Sequence, residues 1–150
     1  MLNAAIVGVG RWGQTLVNSV QGKSDNIRFT AGVTGTRSKA EEYCRKTGID
    51  LRDGYADLLS DAAIDAVVLA TPHTQHEEQI VAAAEAGKHV FTEKPFTLTR
   101  AGAERAIAAC KKAGVTVALG HNRRFMPNTE KLKSLIDSGE LGTLLHIDGN

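Results

Sequence analysis

Short apolar runs alternate along this chain with longer amphipathic ones. The pattern predicts strands near 3–8, 27–33, 65–70, 88–92 and 115–120, and helices near 11–21, 38–47, 73–86, 99–113 and 128–138. The strand runs are apolar on both faces, as in Ala66-Val67-Val68-Leu69-Ala70. That is the signature of a parallel sheet covered by helices on both sides. Repeated strand–helix–strand order implies an α/β fold with right-handed crossovers. Glycine punctuates the helix ends, with Gly48, Gly87 and Gly114 as C-terminal stops, and Thr99 is the expected N-cap of helix 99–113.

The tail has a different character. A helix near 128–138 is followed by Gly139-Glu140-Leu141-Gly142, a turn, and then by Thr143-Leu144-Leu145-His146-Ile147-Asp148. From Leu145 onward that segment alternates apolar and polar, which predicts a half-buried strand. A lone strand needs a sheet. The pattern therefore implies a chain that continues into a further domain, or a fragment; the alternative is a strand that joins the edge of the first sheet or pairs with another copy. The expected division is a dinucleotide-binding domain over 1–122, then a junction and the start of a second α/β domain over 123–150.

Composition narrows the function. Hydrophobic residues make up 42% and charged residues 23%, ordinary for a globular domain. A net charge of +1 offers no footprint for nucleic acid. No apolar run approaches the roughly 20 residues that cross a bilayer, and the N-terminal run, lacking a basic leader, does not read as a signal peptide. Cys44 and Cys110 both fall in helical patterns, with spacing that matches no metal site, and read as free thiols in a reducing cytoplasm.

Two motifs carry the chemistry. Gly8-Val9-Gly10-Arg11-Trp12-Gly13 follows the apolar run Ala4-Ala5-Ile6-Val7. Gly8 permits a tight turn, Gly10 lets backbone approach a pyrophosphate, and Gly13 lets the following helix pack closely on the sheet. That helix would aim its free N–H groups at the phosphates. Arg11 and Trp12 either lie over the pyrophosphate or, for Trp12, pack. About twenty residues on, an acidic residue would bind a ribose 2′-hydroxyl and favour NAD, whereas an arginine would favour the 2′-phosphate of NADP. Here the segment is Thr34-Gly35-Thr36-Arg37-Ser38-Lys39, without a carboxylate. Thr36, Arg37 and Ser38 are the expected contacts, Ser38 also as N-cap of the next helix, and NADP is preferred with NAD as the alternative. Arg37 and Lys39 also read as simple solvated charges at a helix start.

The second motif is Glu93-Lys94-Pro95, directly after His89-Val90-Phe91-Thr92. Ligands of open α/β sheets bind beyond the carboxyl ends of the strands, and Lys94 sits at such an end. Oxidation of an alcohol needs a base for the hydroxyl proton. A lysine ordinarily titrates near 10.4, and partial burial and a positive nicotinamide would lower that value. Glu93 faces the other way in an extended segment and reads as a positioning acceptor. Other strand ends carry Ala70-Thr71-Pro72-His73, with His76 one turn later, and Gly120-His121-Asn122-Arg123-Arg124. His73 and His76 read as ring contacts or caps rather than metal ligands; no metal is expected. Arg123 and Arg124 would hold an anionic substrate or brace a domain junction.

At these residues the whole chain resembles the glucose–fructose oxidoreductase, inositol dehydrogenase and MocA family (Gfo/Idh/MocA) of NAD(P)-dependent oxidoreductases. The most specific part is Ala86-Gly87-Lys88-His89-Val90 running into Glu93-Lys94-Pro95. The resemblance implies a Rossmann domain, an acid/base and positioning role for Lys94, and a cis Lys94–Pro95 bond. It implies that Thr71 to His76 line the cofactor and that Arg37 holds the 2′-phosphate. The expected cofactor contacts are thus Gly8 to Gly13, Thr36 to Ser38, Ala70, Thr71, Pro72, His73, His76, Glu93, Lys94, Pro95, Asn122 and Arg124. The family's second domain, with its substrate contacts and oligomer interface, is not in these 150 residues, so the chain is expected to bind cofactor and turn over poorly. The implied partners are a sugar- or polyol-like substrate and, if the second domain is present, further copies of the chain. A non-catalytic nucleotide-binding module, acting as a sensor or with a partner chain, is the rival reading.

Overall fold

The computed structural model describes residues 1–148. The chain divides into two units, Met1–Gly120 and a second that begins at His121. The first unit is built on a six-stranded sheet in the order β3-β2-β1-β4-β5-β6, every pair parallel. The strands are β1 (Leu2–Val7), β2 (Ile27–Val33), β3 (Asp50–Leu51), β4 (Ala66–Leu69), β5 (His89–Thr92) and β6 (Val117–Leu119). The helices are α1 (Arg11–Val20), α2 (Glu41–Thr47), α3 (Tyr55–Ser60), α4 (His76–Glu85) and α5 (Arg100–Ala113).

The alternation of side chains in β1 shows why the strands are apolar throughout. Ala4 and Ile6 enter one core with Val17, Phe29 and Cys44, while Ala5 and Val7 enter the other with Leu58, Ile80 and Cys110. Successive side chains point to opposite faces of a sheet, and helices cover both faces. Ile6, Leu69 and Ile80 are fully enclosed, each stabilising the fold by roughly 1.5–3 kcal/mol.

Several expected boundaries hold. Gly48 and Gly114 adopt the left-handed conformation at the ends of α2 and α5, Gly87 has φ 72°, and the Thr99 hydroxyl accepts from the Gly102 amide at 3.0 Å. Two expectations fail. Ser38 does not cap α2: it lies inside a short 3₁₀ turn, Arg37–Lys39, and Ala40 takes the cap position. The turn consumes the residues that the amphipathic pattern assigned to the helix start. The strand β3, of two residues, and the helix α3, of six, are too short to register in the pattern. The expected strand over 143–148 is not formed among the described residues.

The second unit, described by itself, holds a 3₁₀ turn at Asn122–Phe125 and α6 (Pro127–Asp137), whose first residue is a proline suited to that position. Its apolar residues Phe125, Leu132, Leu145 and Ile147 are exposed.

Candidate functional site

The carboxyl ends of β1, β4 and β5 lie in one row. Val7 is in register with Leu69, and Leu69 with Thr92. Two strand spacings, about 10 Å, therefore separate the start of the glycine turn from the start of Glu93-Lys94-Pro95.

Each glycine of the turn has its own geometry. Gly8 has φ 96°, and a Cβ there would lie 2.7 Å from the Ala70 carbonyl oxygen. A Cβ on Gly13 would fall inside the Gly8 carbonyl, so α1 seats directly against the turn. A Cβ on Gly10 would meet nothing within 4 Å. The space above Gly10 is open, and α1 starts there with no side-chain cap and no acidic residue in its first turn. Uncapped N–H groups under open space form a cradle for a pyrophosphate, so the residues present fit a dinucleotide. The Val9 side chain is buried in the core, which leaves only its backbone for a ligand. Arg11 is exposed, and Trp12 is 45% exposed.

The loop after β4 is braced from below. The Ala70 amide donates to Val7 O at 2.8 Å. The Thr71 hydroxyl donates to Gln79 Oε1 at 2.6 Å, and the Gln79 amide nitrogen donates to Gln75 at 3.2 Å. Pro72 and His73 are exposed in a 3₁₀ turn. His76 is only 1% exposed, so it does not share an exposed face with His73. Its Nδ1 lies 2.8 Å from Pro95 O and its Nε2 3.1 Å from Thr71 O. Both ring nitrogens are engaged by the protein, which makes His76 a tie between loops rather than a direct contact.

The Lys94–Pro95 peptide bond is cis. Lys94 is exposed, so the partial burial expected of it is not supplied by the described residues. Glu93 turns back: its Oε2 accepts from the Lys94 amide at 3.3 Å, and its carboxylate leaves no room for a Cβ on Gly120. Asn122 and Arg124 belong to the 3₁₀ turn of the second unit.

A cavity of about 290 Å³ opens between the ends of β1, β2 and β4, walled by Gly8, Gly35, Asp53, Tyr55, Thr71 and Gln79. Asp53, Gly54 and Tyr55 carry no sequence signal, because the loop after β3 has no motif and β3 itself is two residues long; Gln79 lies within α4, where it reads as an ordinary polar helix residue. The Tyr55 hydroxyl donates to Gln79 O at 2.8 Å, and burial holds its phenol above the ordinary tyrosine range. Beside the cavity, the Arg37 guanidinium meets Asp53 at 2.8 Å and Glu41 at 3.4 Å. Thr36 and Ser38 are exposed next to it. Burial pushes both the Cys44 and Cys110 thiols up, Arg37 partly opposing this at Cys44.

Relatives share this architecture. The chain is 35% identical to scyllo-inositol 2-dehydrogenase (NAD(+)) of Bacillus subtilis, covering 99% of this chain and 44% of that one. It matches the structure of scyllo-inositol dehydrogenase from Lactobacillus casei with bound NAD(H) and scyllo-inositol at 28% identity and TM-score 0.88, over 95% of this chain and 42% of that one. It matches KijD10, a 3-ketoreductase from Actinomadura kijaniata in complex with TDP-benzene and NADP, at 25% identity and TM-score 0.84, over 92% and 44% of the two chains. The chain thus spans about two fifths of the length of the curated relatives it matches. Residues 2–121 match the family described as an oxidoreductase family with an NAD-binding Rossmann fold, and the chain belongs to that family, Gfo/Idh/MocA.

Proposed function

We propose that this chain is the cofactor-binding part of an enzyme that moves a hydride between a nicotinamide and a secondary alcohol or carbonyl of a sugar, cyclitol or related polyol. The observation that carries this reading is the common sheet edge shared by the open turn at Gly10 and the loop bearing Lys94. The inositol dehydrogenases among its relatives support a cyclitol-like substrate.

When bound, the cofactor supplies the hydride acceptor or donor. The chain's own residues do the rest. The N–H groups at the start of α1 hold the pyrophosphate. Thr71, fixed through Gln79 and His76, lines the path toward the ring. Lys94, when neutral, takes the hydroxyl proton during oxidation, and its ammonium returns a proton in reduction. Glu93 and His76 hold the backbone on either side of Lys94.

Within this reading NADP is favoured and NAD accepted. Arg37 supports it, as a planar fork suited to a 2′-phosphate on a segment, 34–39, without a carboxylate. Calorimetric titration of this chain with NADPH and NADH, repeated on Arg37→Ala, tests it. The expected result is NADPH binding weakened tenfold or more by the substitution, with NADH little changed. Equal loss for both cofactors would refute the 2′-phosphate role.

A further inference from the structure

We infer that Asp53 is a cofactor-specificity residue, which retains NADH and opposes NADPH by competing for Arg37; this rests on the assignment of Arg37 to the 2′-phosphate. The usual acidic residue that binds a ribose 2′-hydroxyl comes at the end of the second strand, where this chain has none. The fold brings a carboxylate to the same place from another loop. Asp53 follows β3, walls the cavity together with Val33, Thr34 and Gly35 from the end of β2, and lies 2.8 Å from the Arg37 guanidinium.

The loop that carries Asp53 is pinned on both sides. The Arg52 amide donates to Gly32 O at 2.8 Å and the Arg52 side chain to Asp61 at 3.0 Å. The Gly54 amide donates to Asp57 at 2.8 Å. The Asp53 side chain itself is 94% exposed and that of Arg37 50%. An ion pair this exposed is held by little free energy, so it exchanges readily for a ligand. With NADH, the Asp53 carboxylate, carried on its pinned loop, accepts a hydrogen bond from the ribose 2′-hydroxyl. With NADPH, the phosphate takes the guanidinium and Asp53 must turn away, while Glu41, at 3.4 Å from Arg37, remains as a second competitor.

The test is the binding of both cofactors, by calorimetry, to the wild-type chain, Asp53→Asn, Arg37→Ala and the double variant. Asp53→Asn is isosteric and lies on an exposed side chain, so folding is preserved. It should strengthen NADPH binding three- to tenfold and weaken NADH binding by a similar factor. The NADPH gain should vanish in the Arg37→Ala background, because it acts through that guanidinium. If Asp53→Asn shifts both cofactors in one direction, or neither, while Arg37→Ala still weakens NADPH, the role of Asp53 is overturned and that of Arg37 stands. If Arg37→Ala leaves NADPH unchanged, the 2′-phosphate assignment falls and this inference falls with it.

Discussion

His76 and Pro95 are joined by a 2.8 Å contact between Nδ1 and the Pro95 carbonyl, while the other ring nitrogen reaches Thr71 O at 3.1 Å. One buried ring thus spans the loops that leave β4 and β5. A neutral imidazole carries a single N–H and donates to one of these carbonyls; a ring protonated on both nitrogens donates to both. His76→Phe keeps a planar ring, though a larger one, and removes every donor. It should cost about 1–3 kcal/mol, the usual penalty for leaving a buried acceptor without a partner. Hydrogen exchange should quicken at 71–76 and 93–97 before the rest of the sheet responds. His76→Gln, which keeps a donor, should recover part of both effects. Uniform exchange across the sheet in His76→Phe would contradict the tie.

Gly13 and Gly10 separate folding from binding. A Cβ at Gly13 collides with the backbone at Gly8, and neither segment can yield without moving α1. Gly13→Ala should therefore cost about 3 kcal/mol or more, a fall in Tm of roughly 6–12 °C for a chain of this size. Gly10 has an ordinary φ of −79° and open space above it. Gly10→Ala should leave Tm within about 2 °C, a change of about 0.5 kcal/mol, yet weaken either cofactor about tenfold by intruding on the pyrophosphate. Thermal melts and titrations of the two variants check both halves.

The role proposed for Lys94 is chemical rather than structural, and its side chain is exposed. With a cyclitol as probe substrate, Lys94→Ala in the complete enzyme should lower kcat by roughly 10²–10⁴, the range of a lost acid/base. Cofactor affinity should change by less than about threefold. Lys94→Arg should fail to restore turnover, because a guanidinium does not release its proton in this pH range. Restoration by arginine would point to a purely positional charge.

Tyr55 links stability to pH. Burial raises its folded pKa above the unfolded value, so the neutral phenol is favoured in the native state. That contribution is complete below about pH 10, the unfolded value, and is lost as pH rises toward the folded one. The wild-type Tm should fall above about pH 10. Tyr55→Phe should be less stable at pH 7, through loss of the bond to Gln79 O, and should show a shallower alkaline decline. Cys44 and Cys110, also raised by burial, act from lower pH in both proteins and cancel in the comparison.

The sequence by itself determined five of the six strands, the glycine turn and the loop bearing Lys94, because each is encoded locally. Runs such as Ala66 to Leu69 are apolar on both faces only where helices cover both faces, and the glycine spacing reports the close approach of Gly13 to Gly8 within six residues. The expected cis bond at Pro95 came from the family resemblance, not from spacing. Other features were decided only by tertiary structure. His76 reads in the chain as a ring contact or cap; its enclosure between two carbonyls depends on β4 and β5 being adjacent. Asp53 sits sixteen residues beyond Arg37, after a strand too short to form a pattern, and becomes its partner only because β3 pairs with β2. The alternation in 143–148 was legible as strand chemistry, yet no strand forms there among the described residues, because alternation sets which side chains face inward while a strand exists only where a neighbour's hydrogen bonds complete it.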